Sequence, residues 1–225
     1  MDFLSEGRAS DSPYVEMVWR GRAGSDYAPL CPADSRWNLL FLKEHGRVQV
    51  SVEGPLTKAR LTIQDEGTEW LVIKFTPGTF LSSLAVSNLV NGEAVLPLVA
   101  KHSFWLDGST WHVPDYEHVE TFVARLARAD VLLYDPVVDA VLQDQPQELS
   151  SRTVRRRFLS ATGLTPKSFE QIERAKQAAV LLEQGVSLLD TVYQAGYADQ
   201  PHMTRSLKRF IGYTPAHIAR WGKPE

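Results

Sequence analysis

The chain of 225 residues has a single cysteine, Cys31, so no internal disulfide can form. A lone thiol fits a reducing compartment, and the expectation is a cytoplasmic protein. No apolar run approaches the roughly 20 residues of a membrane span, and no membrane partner is expected. The start, MDFLSEGRASDSP, lacks the basic and apolar regions of a secretory leader. The histidines His45, His102, His112 and His118 are scattered rather than paired on one strand, so no metal site is expected. The segment GTFLSS lacks the glycine spacing of a nucleotide loop. Cys31 has no nucleophile signature around it. These absences leave no catalytic residues and no cofactor to name, and the chain is expected not to be an enzyme.

What is present is an uneven distribution of charge. Residues 150–225 hold 12 Lys or Arg against 6 Asp or Glu, and residues 1–149 hold the remaining 12 against 21, so the net −3 divides into +6 and −9. A basic domain attached to an acidic one suggests binding to a polyanion. The first part reads as β. YVEMVWR, RWNLLFL, RVQVSV, RLTI and EWLVIKF are short runs rich in β-branched and aromatic residues, separated by Gly and Pro signals. Five such strands over 12–112 predict a small barrel or sandwich. GTFLSSL reads as a short helical insertion. Residues 113–149 read as a helical connector, with YEHVETFVARLARADVLL and DPVVDAVLQDQ as helices and Pro146 after them. Residues 150–222 read as all helix.

Two helices in that last region match each other. A shift of 49 residues lays Ser150 on Asp199, Val154 on Met203, Arg156 on Arg205, Phe158 on Leu207, and Gly163, Thr165 and Pro166 on Gly212, Thr214 and Pro215. Ser150 and Asp199 are suited to N-caps, and each Gly-x-Thr-Pro ends one helix and starts the next. The i, i+4 pairs Val154/Phe158 and Met203/Leu207 predict buried stripes. Arg152 and Arg156 lie opposite the first stripe with Arg155 at its flank, and Arg205 and Lys208 lie opposite the second. Helices over 151–162 and 199–210 thus dock by one face and offer cations on the other. A helix of about 18 residues between them would be roughly 27 Å long, which suits two recognition helices about one DNA turn apart.

Residues 150–220 resemble the DNA-binding domain of the AraC/XylS family of transcription regulators, on the motifs TGLTP, AGYADQPHMTRSLKRF and GYTP. The resemblance implies double-stranded DNA as partner, bound in the major groove. Base-contacting positions carried over by motif are Arg152, Arg155 and Arg156, then Gln200, His202 and Arg205. Lys208 and Arg209 are better placed for phosphates. Departures are VVDAVLQDQPQEL ahead of the first recognition helix, Val192 in place of the family's Ala, and Pro201 in the first turn of the second. The first motif's scaffold is therefore expected to be shortened or bent. CPADSRWNLLFL, WLVIKFTPGTF and GEAVLPL are similar to the small cupin-like β domain that precedes such domains in one branch of the family.

The fold class expected is α+β: an N-terminal β-barrel, then an all-α domain with two helix-turn-helix units on a long linker helix. Candidate further partners are a small-molecule effector, RNA polymerase and a second copy of the chain. Trp19, Trp37, Trp70, Trp105 and Trp111 are candidate ligand-binding residues, against the plainer reading that they fill the barrel. The alternative for the whole is a small-molecule-binding or catalytic β-barrel whose helical tail binds a protein. RNA binding is disfavoured, since few aromatics interleave with the basic helices.

Overall fold

The structure is a computed structural model, and it describes residues 4–24 and 30–221. A β-rich region precedes a helical one, as expected. The strands are β1 (Leu4–Ala9), β2 (Val15–Arg22), β3 (Leu30–Cys31), β4 (Asn38–Glu44), β5 (Arg47–Glu53), β6 (Arg60–Leu61), β7 (Glu69–Phe75), β8 (Thr79–Leu81), β9 (Glu93–Leu96), β10 (Leu98–Ala100), β11 (Ser103–Leu106), β12 (Ser109–His112) and β13 (Leu132–Tyr134). The helices are α1 (Val119–Arg128), α2 (Pro136–Leu142), α3 (Ser151–Thr162), α4 (Pro166–Glu183), α5 (Leu188–Gln194), α6 (Gln200–Phe210) and α7 (Pro215–Trp221).

By compactness the chain forms two bodies, and these do not follow the boundary that the sequence suggests. The first body holds residues 36–55 and 63–166 together with the described residues before 25, so it includes α3. The second holds the short segments 30–35 and 56–62 with everything from Lys167 onward.

In the first body six antiparallel strands run in the order β1-β2-β7-β4-β5-β9. Alternation places Val18, Leu39, Phe41, Val50, Val52 and Ile73 on one face, where they are buried. The three-stranded sheet β10-β11-β12 and α1 complete that core. Phe104 and Phe122 meet Phe41 edge-on, with ring centroids 5.9 and 6.2 Å away. Two segments expected as helix are strands: Thr79–Leu81 pairs antiparallel with Leu132–Tyr134. The helix begun at Val119 stops because Asp130 turns left-handed (φ 56°), and Leu132 then buries against the sheet core rather than along a helical stripe. The only helical turn close to GTFLSSL is the 3-10 segment Val86–Leu89, just after it.

In the second body α4 runs for 18 residues, the length expected of the linker. Its buried stripe is Phe169, Ile172, Ala175, Ala178, Ala179 and Leu182. No described helix is long and apolar enough to cross a membrane.

Candidate nucleic-acid interface

The first of the two matched helices, α3, starts where Ser150 Oγ accepts the Thr153 N–H at 3.2 Å. It ends at Gly163, which is left-handed (φ 75°). Side chains strain there, and a Cβ would also lie 3.1 Å from the Val86 carbonyl oxygen. Phe158 is fully buried where α3 packs on α2, the Val86–Leu89 turn and β8. Val154, expected to be buried with it, is only half-buried. The connection 143–150 that precedes α3 is exposed along almost all its length.

Arg152, Arg155 and Arg156 are exposed and line one shallow depression with Ser151 and Leu159. Arg157 is different. Its Nε and Nη2 reach Asp135 Oδ2 and Oδ1 at 2.9 and 2.7 Å, and Asp135 Oδ1 also accepts the Val137 N–H that starts α2. This arginine ties α3 to α2. Nothing local in RRR marks which of the three turns inward.

The second of the matched helices, α6, is capped by Asp199, whose Oδ1 accepts the His202 N–H at 2.6 Å. Met203, Leu207 and Phe210 are buried. Gln200, Arg205, Lys208 and Arg209 are exposed. His202 is half-buried, its ring edge-on to Tyr197 with centroids 5.2 Å apart. Burial pushes the Tyr197 phenol up, although its hydroxyl is 2.8 Å from Ser206 Oγ. Arg174 lies over the Tyr197 ring and ion-pairs with Glu170. Gln171, Arg174, Tyr197, His202 and Arg205 thereby border a depression of about 200 Å³ beside α6. Arg174 and Tyr197 escaped the sequence reading because neither lies on the helix that the repeat singles out.

The tryptophans do not converge. Trp37 stacks on Phe75 (centroids 4.0 Å apart) and donates Nε1–H to the Thr79 carbonyl. Trp111 is buried and donates to the Leu106 carbonyl. Trp105 and Trp19 are partly exposed. Trp19 and Trp70 cover their cross-strand partners Gly7 and Gly21, where a Cβ would come within 2.4 Å of each ring. Only Trp70 lines the cavity of about 670 Å³ at one end of the six-stranded sheet. Phe41, Val48, Leu71, Val113 and Tyr116 supply its apolar surface, and Arg20, Arg22, Lys43 and Glu69 its charged rim. Arg20 sits over the Tyr116 ring at 4.2 Å. Lys43 bonds Glu69 at 2.7 Å and holds that carboxyl below the usual range.

A family of helix-turn-helix domains matches residues 148–220. The uncharacterized HTH-type transcriptional regulator YbfI of Bacillus subtilis is 47% identical over 48 residues, 21% of this chain and 18% of that protein. The HTH-type transcriptional regulator RipA of Corynebacterium glutamicum is 32% identical over 92 residues, 40% of this chain and 28% of its own length. The chain thus spans less than a third of either relative. Among solved structures, ToxT of Vibrio cholerae O395 aligns over 98% of this chain and 99% of its own, at 11% identity and a TM-score of 0.40, too low to bear on the architecture. The caps, the buried stripes and the family match agree over one region, residues 148–220, which matches a helix-turn-helix domain.

Proposed function

We propose that the chain is a transcription regulator that binds specific double-stranded DNA through α3 and α6. The observation that carries this reading is a pair of helices in a helix-turn-helix domain, each docked by a buried apolar stripe and each presenting exposed arginine opposite it. Arginine reads guanine through two hydrogen bonds in the major groove, and glutamine reads adenine in the same way. On this reading Arg152, Arg155 and Arg156 serve one half of the site, and Gln200, His202 and Arg205 the other. Lys208 and Arg209 bind phosphate. The first body's cavity, of about 670 Å³, takes a largely apolar small molecule as effector.

A retardation assay of the full chain on a random duplex pool, across a salt series, tests the reading. Retarded complexes should form at low salt and weaken linearly on logarithmic axes as salt rises, because releasing the DNA's condensed counterions then gains less. Absence of any retarded duplex at low salt would refute it.

A further inference from the structure

Residues 30–35 and 56–62 come from the N-terminal half, lie outside the matched stretch 148–220, and yet belong to the second body with α4 and α6. There they form a small ribbon. Leu30 pairs with Leu61 and Cys31 with Arg60, and Asp34 and Leu56 exchange both backbone hydrogen bonds, at 3.0 and 2.8 Å. The last carbonyls of a helix have no donor within it and need one from elsewhere. Two N–H groups of the ribbon fill that need at the end of α6. Ala33 donates to the Phe210 carbonyl at 2.6 Å, and Ala59 to the Arg209 carbonyl at 2.9 Å. Leu30 and Ala59 also close over Gly212, where an added Cβ would lie 2.3 Å from Leu30 Cδ2 and 3.1 Å from Ala59 Cβ. The far side of the ribbon grips α4. Buried Ser35 donates to Glu173 at 2.6 Å, and Lys176 Nζ reaches Asp34 at 3.2 Å.

We infer that this ribbon is a positioning element of the second helix-turn-helix, with Leu30, Ala33 and Ala59 setting the C-terminal end of α6 without touching DNA. The inference rests on the proposed reading of DNA by α6. A helix of 11 residues is roughly 16 Å long, so fixing one end sets the direction of its whole exposed face. Lys208 and Arg209 lie in the half of α6 nearest the ribbon, and Arg205 is at its midpoint.

The test uses the full chain and a duplex that the parent selects from a random pool. Ala59→Pro removes the donor to Arg209, and Ala59→Ser keeps it. Ala59→Pro should lower affinity about tenfold, the scale of one buried helix-end hydrogen bond, and lose protection over the same half of the footprint as Arg205→Ala. Ala59→Ser should bind like the parent. Should the proline variant fail to fold, Leu30→Ala removes only the side chain over Gly212, and it should shift affinity and footprint in the same direction. Hydrogen exchange on the DNA-free parent gives a reading independent of DNA: the amides of Ala33 and Ala59 should be protected. A parent that retards no duplex sinks the function reading, whereas free exchange at those two amides sinks the ribbon. Unchanged affinity and footprint in Ala59→Pro or Leu30→Ala, with the parent binding, also overturn it.

Discussion

Arg155, Arg156 and Arg157 are consecutive, yet the first two face solvent while the third forks onto the Asp135 carboxylate. A planar guanidinium with both arms on one carboxylate positions a helix, whereas one in solvent is available to a base or a phosphate. Arg157→Ala should therefore lower the unfolding temperature and weaken binding to all duplexes alike. A stable Arg157→Ala variant with altered sequence preference would contradict that role. Lys208→Ala should leave stability unchanged, weaken all sequences equally, and flatten the salt dependence by about one unit of slope. Selective loss on one sequence would instead place Lys208 at a base.

Acid stability also resolves to single residues. The Arg8 guanidinium bonds both oxygens of Glu120, at 2.5 and 2.9 Å, and outweighs the opposing effect of partial burial; with Ser10 adding a bond, the Glu120 pKa falls to about 2 from an ordinary 4.5. The folded value lies below the unfolded one, so this contribution is complete above about pH 4.5 and is lost as pH falls towards 2. The full shift corresponds to about 3 kcal/mol, and screening at a pair this near the surface leaves nearer 1. Glu120→Gln should flatten the acid limb of the stability profile, as chemical denaturation at stepped pH would record. An acid limb as steep as the parent's would show that the pair contributes nothing.

At the scale of elements, α3 and α6 are built alike and docked differently. α3 packs on α2, β8 and the Val86–Leu89 turn in the first body, while α6 packs beside α5 and under the ribbon in the second. Phe158→Ala should cost about 3–5 kcal/mol through the cavity it leaves, because Phe158 is fully buried in that packing. Denaturant titration would check it, and a cost below about 1 kcal/mol would mean the α3 stripe is not a core. The helices were legible in the sequence because their signals are local. Ser150 and Asp199 cap within three residues, and the glycines of the two Gly-x-Thr-Pro motifs stop what those caps start. The pairing of Thr79–Leu81 with Leu132–Tyr134 was not legible, since each strand of three residues is defined by a partner about fifty residues away. Nor was the ribbon, whose donors Ala33 and Ala59 have no side-chain chemistry to announce a cap. The outward arginines were legible from periodicity, but the inward turn of Arg157 depends on Asp135, which periodicity within α3 cannot see.

Across the whole molecule, the excess of positive charge lies in residues 150–225 and the excess of negative charge before them. Such a chain should bind a polyanion through its C-terminal part while the acidic part repels it, favouring few and specific contacts over diffuse ones. The domain match covers the basic part alone, and the first body contributes α3's support and the cavity. The central claim is that α3 and α6 each read bases. The most direct measurement is footprinting of the full-length parent, Arg156→Ala and Arg205→Ala on a duplex selected by the parent from a random library. Each alanine variant should lose about 1–3 kcal/mol of specific binding and relax selectivity, with the affected bases in different halves of the site. If both variants bind as tightly and as selectively as the parent, the two basic faces are solvated surface and the claim is wrong.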